Sequence, residues 1–210
     1  MAVATDPAVR VLLTLRLKSF VDTEVVAHAS RLPEDRTSQL LGRLQEEGLV
    51  AFRDGRLQGW SLTTAGRREG ERRLAAELDD AGCRELVHEA YRVFVGLNGR
   101  FLVTCTRWQL RSEGGLQLVN EHLDPIYDAT VISELDEIDD AVQPICHRLA
   151  GAMDRFAHYN GRFAVARVRV HDGDHDWFAG PMVDSYHAVW FELHENLLAT
   201  LNLERSAEAH

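Results

Sequence analysis

Between residues 86 and 108 the apolar side chains Leu86, Ala90, Phe94, Leu97, Phe101, Cys105 and Trp108 recur at intervals of four, four, three, four, four and three. That rhythm keeps them on one face of an α-helix for about 25 residues, roughly twice the mean helix of a globular protein. So aromatic a seam must be covered by a large apolar surface, which commits the body of the chain to helix packing. The 210 residues are enough for a small domain beside a medium one, and 45% hydrophobic with 27% charged residues excludes disorder of the whole chain.

No apolar run approaches the roughly 20 residues that cross a bilayer, so no membrane partner is expected. The first 30 residues lack the basic start and apolar core of a secretory signal. Cys83, Cys105 and Cys146 stand 22 and 41 residues apart, with no paired spacing. That argues against a disulfide framework or a zinc ribbon and points to a reducing cytoplasm. The net charge of −10 is uneven: residues 1–75 carry 12 basic and 10 acidic side chains, the remainder 11 and 23. An acidic body repels nucleic acid at long range; a mildly basic N-terminal module does not.

Within that module, Val11, Leu12 and Leu15 follow Pro7 at helical spacing, and Thr23 reads as the cap of a second short helix. Glu34–Glu47 places Leu40, Leu41 and Leu44 on one face and stops at Gly48. A strand Leu49–Phe52, a turn centred on Asp54-Gly55 and a returning strand Leu57–Leu62 make a hairpin. Thr63 or Thr64 then caps another helix. The segments Leu44-Gln45-Glu46-Glu47-Gly48-Leu49-Val50 and Leu62-Thr63-Thr64-Ala65-Gly66, with the Arg-flanked hairpin between them, resemble the winged helix of MarR-type and PadR-type transcription regulators over about residues 8–75.

The resemblance implies a mostly α fold: an N-terminal winged helix-turn-helix with a two-stranded wing, followed by an all-helical domain. It also implies double-stranded DNA as partner and a homodimer formed through helices outside the winged helix, here the seam of residues 86–108. The DNA-reading residues would be Arg36, Thr37, Ser38, Gln39 and Arg43 on the second helix of the motif, with Arg53 and Arg56 on the wing. Arg and Gln present bidentate groups to guanine and adenine edges, and Thr and Ser adapt to either. Glu34 and Asp35 suit the helix dipole but face phosphate unfavourably, which keeps open a protein-interaction module without DNA binding. A GntR-like regulator sensing a metal or organic acid is the other alternative.

The domains expected are 1–75 for DNA binding and 76–210 for dimerisation and ligand binding. In the second, Ser112-Glu113-Gly114-Gly115 reads as loop and Asp124-Pro125 as a helix start. Pro144 should kink or end that helix, Tyr159-Asn160-Gly161 should stop it, and Phe163–Val170 reads as helix. A last helix runs from about Pro181 to Leu203. The C-terminal part resembles a helical domain of actinobacterial winged-helix proteins, from which no residue role transfers.

Ten histidines invite a metal reading. His187 and His194 share a face, but seven residues span about 10 Å along a helix, too far for one ion. A zinc-type site there needs other helices to contribute His122 or His147. No H-E-x-x-H or C-x-x-C is present, so hydrogen-bonded helix histidines and no metal are expected. The run His171-Asp172-Gly173-Asp174-His175-Asp176 lacks the glycine and glutamate positions of a calcium loop. No nucleophile elbow or phosphate loop occurs, so neither enzyme activity nor a cofactor is expected. Trp108, Tyr186, His187, Trp190, Phe191 and His194 are the candidates for a small-molecule effector pocket between helices.

Overall fold

The structure, a computed structural model, describes residues 2–56 and 58–203. It is mostly helical, with two small antiparallel hairpins, and its contacts group into two compact units. One unit is Met1–Glu85 with Met153–Arg155 and Glu195–His210; the other is Leu86–Ala152 with Phe156–His194. These units depart from a linear division at residue 75, because α4 and two later segments join the N-terminal one.

In the first unit α1 (Pro7–Lys18) starts where Asp6 accepts hydrogen bonds from the Ala8 and Val9 amides. Helix α2 (Thr23–Ser30) is capped by Asp22, which takes the Val25 amide at 2.8 Å, and not by Thr23. The Thr23 hydroxyl instead accepts from the Trp60 indole N–H at 3.0 Å. Helix α3 (Glu34–Glu46) buries Thr37, Leu41 and Leu44. It ends at Gly48, whose φ of +71° only glycine adopts cheaply. There the Leu49 amide bonds to the Leu44 carbonyl and the Gly48 amide to that of Gln45, the Schellman closure.

Strand β1 (Val50–Arg53) pairs with β2 (Gly59–Leu62); the expected start at Leu57 lies outside the described residues. Val21, between α1 and α2, exchanges both backbone hydrogen bonds with Trp60 and so lengthens the pairing by one bridge. Val11, Leu12, Leu15, Val26, Leu41, Leu44 and Val50 close the core beneath.

Helix α4 (Thr64–Asp80) begins under the Thr63 side chain, which accepts the Gly66 amide and donates toward the carbonyls of Gly48 and Leu49. A Cβ on Gly66 would fall 1.8 Å from the Leu49 carbonyl oxygen. The glycine of Leu62-Thr63-Thr64-Ala65-Gly66 is therefore a packing requirement, since backbone lies where a side chain would go.

The same unit contains a buried guanidinium. Arg155 is 4% exposed; its Nη1 pairs with Glu77 and also donates to the Thr5 hydroxyl at 3.3 Å, while Nη2 donates to the Thr200 hydroxyl at 3.1 Å. Next to it, Asp154 pairs with Arg10 at 2.5 Å and accepts the Thr5 amide at 3.0 Å.

The second unit carries most of α5 (Arg84–Gln109), then β3 (Leu110–Glu113), β4 (Leu116–Val119), α6 (Pro125–Ala152), α7 (Tyr159–His171), α8 (Asp176–Ala179) and the start of α9 (Tyr186–Leu201). The expectation of an all-helical body is thus corrected by a hairpin. Gly114 and Gly115, at φ +57° and +84°, form the two-residue turn with both central residues left-handed that matches strand twist. Helix α6, capped by Asp124, runs through Pro144 without ending. Tyr159-Asn160-Gly161 begins α7 where a stop was expected, and the helix expected at Phe163–Val170 is present within it. Helix α9 starts at Tyr186, five residues later than expected, and ends at Leu201.

The seam of α5 is covered within its own unit. Phe94 and Phe101 stack on Trp190 with ring centroids 4.4 and 4.3 Å apart, and Trp108 stacks on Phe178 at 4.5 Å. It is a core, which removes the seam as an interface for a second copy.

Gly66→Ala is expected to destabilise the protein by at least the upper part of the roughly 1–3 kcal/mol range for overpacking, because the clash is with backbone. Gly42→Ala, where a Cβ meets nothing within 4 Å, should be neutral or stabilising. Paired urea unfolding curves would check the contrast.

Candidate functional site

On α3 the buried stripe Thr37, Leu41, Leu44 fixes which residues look outward. At 3.6 residues per turn, Arg36, Gln39 and Arg43 fall together on the opposite side, and all three are exposed. Ser38 is exposed on the other flank. Thr37, expected to read bases, does not reach the surface: it is 0% exposed and its hydroxyl donates to the Pro33 carbonyl at 3.0 Å. Its place one residue round from Arg36 turns it inward.

The hairpin exposes Arg53 and Arg56, with the Arg53 guanidinium over the Phe20 ring at 5.9 Å. Among the described residues Arg36, Arg43, Arg53 and Arg56 have no carboxylate within ion-pair distance. The arginines of α4 differ, since Arg72 and Arg73 both hold Glu69, whose carboxyl they lower to about 2.

The six residues expected to line an effector pocket separate into three groups. Tyr186, Trp190 and His194 are buried in the aromatic core with Phe94, Phe101 and Phe163. The Tyr186 hydroxyl donates to Asp139 at 3.0 Å, and the Trp190 indole donates to Asn98 at 2.9 Å. These side chains pack against one another's rings in the core. His187 is half-buried against Phe101, and Phe191 is 45% exposed. Trp108 keeps different company: Phe178, His122 and His175. A cleft of about 490 Å³ lies elsewhere, between Val3, Asp6 and Val9 and the Arg72–Asp80 stretch of α4.

Around Trp108 the fold assembles a cluster that sequence spacing did not reveal. His122 follows β4, Asp128 lies in the first turn of α6, and His175 immediately precedes α8. One potential ligand atom from each lies within 4.8 Å of the others. His122 Nδ1 is 3.1 Å from Asp128 Oδ2. Behind them the buried Asn120 donates to Asp128 Oδ1 at 2.9 Å and to the Trp108 carbonyl at 3.1 Å, and accepts the His122 amide at 3.3 Å. His187 and His194, which the sequence places too far apart to share an ion, take no part in it. The sequence offers His122 as a possible donor and His175 within the histidine-rich run ending at Asp176, and nothing in their spacing joins them.

All three cysteines are buried, and burial pushes the thiols of Cys105 and Cys146 up to about 12. Such thiols are poor nucleophiles and poor metal ligands at neutral pH.

Burial also lowers the His187 imidazole below its ordinary value near 6.5. The unfolded chain then binds that proton more readily than the folded one, so stability is full above about pH 6.5 and falls as the pH drops toward the lowered value. His187→Gln should flatten this acid limb relative to the parent protein, as measured by urea midpoints between about pH 7.5 and pH 5.

Among the described residues no helix is long and apolar enough to cross a membrane. Comparison of the chain with protein-family models, with curated proteins and with solved structures returns no match.

Proposed function

We propose that the first unit is a winged helix that binds double-stranded DNA, and that the chain is a transcription regulator similar to the MarR and PadR types. The observation that carries this is the outer face of α3, where Arg36, Gln39 and Arg43 stand exposed with no carboxylate neutralising either arginine. The order α1, α2, α3, hairpin, α4 supports it, as does the bridge from Val21 to β2, which supplies the third strand position of such a module. On this reading α3 enters the major groove, and Arg53 and Arg56 on the wing reach phosphate or the minor groove.

The regulator is proposed to act as a homodimer whose contact surface is not the α5 seam. Leu116, Leu118 and Val119 on β4 are 67%, 48% and 73% exposed and offer an apolar surface on an unpaired strand edge. An effector, if one acts, would meet His187 and Phe191, the two accessible members of the expected set.

Selection from a random duplex pool, followed by anisotropy titrations in increasing salt, tests the reading. An enriched sequence is expected, with affinity falling as salt rises because phosphate contacts release counterions. Arg36→Ala and Arg43→Ala should each lose roughly 1–3 kcal/mol of binding, without loss of helical circular dichroism. No enriched sequence, or unchanged affinity in both variants, would overturn it in favour of a protein-interaction module.

A further inference from the structure

We infer that His122, Asp128 and His175 hold a divalent transition-metal ion of the zinc class. Two imidazoles and one carboxylate are the donors such ions take, and three protein ligands leave a coordination position for water or an anionic oxygen group. With bonds of about 2.0–2.2 Å, tetrahedral ligand atoms sit about 3.3–3.5 Å apart. His122 Nδ1 and Asp128 Oδ2, at 3.1 Å, are already close to that spacing, and the third donor lies within 4.8 Å. A rotation of the exposed His175 side chain is enough to complete the set.

The surroundings are those of a supported ligand group. Asn120 is 5% exposed, and its amide nitrogen, 3.2 Å from His122 Nδ1, spends its two hydrogens on Asp128 Oδ1 and the Trp108 carbonyl. That leaves Asp128 Oδ2 as the carboxylate oxygen turned toward His122. Outer hydrogen bonds of this kind fix ligand orientation. His122 is held at φ +56°, a left-handed conformation that costs a non-glycine residue energy and that the Asn120 side chain braces through the His122 amide. The Trp108 ring, 4.3 Å from that of His122 and itself 3% exposed, covers one side and limits competing water.

The test needs no knowledge of DNA binding. The full chain, stripped with a chelator, is titrated with Co²⁺ while its visible ligand-field absorption and tryptophan emission are followed; Zn²⁺ then competes. One equivalent is expected to bind, with Co²⁺ quenching part of the emission and Zn²⁺ displacing it. His175→Ala, at an exposed position where folding is not at stake, should weaken binding by at least about 10-fold, and His122→Ala likewise. His147→Ala and His171→Ala, exposed histidines outside the cluster, should leave it unchanged. The inference is overturned by the absence of a Co²⁺ spectrum, or by affinity that His175→Ala and His122→Ala leave intact.

Discussion

An arginine cannot shed its proton when buried, so a fold that encloses one must bring acceptors to it. Arg155 imposes this on the first unit. Its two terminal nitrogens are held by Glu77 on α4, Thr5 ahead of α1 and Thr200 near the end of α9. Those contributions are distant in sequence, and removing one partner of a buried pair costs about 3–5 kcal/mol. The neighbouring Asp154 adds Arg10 and the Thr5 amide to the same knot. Met153–Arg155 therefore belongs to the first unit although the helices flanking it in sequence belong to the second.

A buried carboxylate does comparable work in the second unit. Asp139, 3% exposed, accepts from Tyr186, Gln143 and Arg167, which joins α6 to α7 and α9. Around it the rings of Phe94, Phe101, Phe163 and Trp190 pack at centroid distances between 4.3 and 6.2 Å. On α7, Arg162 grips Asp184 and Glu192 together; burial works against its charge, but the two carboxylates outweigh it and raise its pKa above the ordinary value. Polar anchors set the positions, and aromatic area supplies the stability.

The parts legible in the sequence were those written within a few residues. Pro7 and Asp124 marked helix starts, Gly48 a helix end, and the α5 rhythm a buried face. Failures came where a local signal had two readings. Gly114-Gly115 reads as loop in the sequence because the four-residue strands beside it are too short to show alternation. Asn160-Gly161 was heard as a stop, yet Gly161 is tolerated inside α7 and Asn160 donates to the Gln143 carbonyl at 3.2 Å. Thr37 has the chemistry of a base-reading residue and the wrong helical phase. The histidine cluster was out of reach for a different reason: 53 residues separate His122 from His175, and only tertiary packing around Trp108 brings their rings to 4.3 Å.

The contact at Gly66 changes what the most recognisable stretch of this chain means. A hydrogen atom is all that fits against the Leu49 carbonyl, so the threonine–glycine signature records how a strand and a helix are mortised together. It constrains no residue on the outer face of α3. A chain could keep the signature intact while every exposed residue of that face drifted. Chains that carry the signature share a joint, and the outward stripe of positions 36, 39 and 43, one helix earlier, is left free to differ among them.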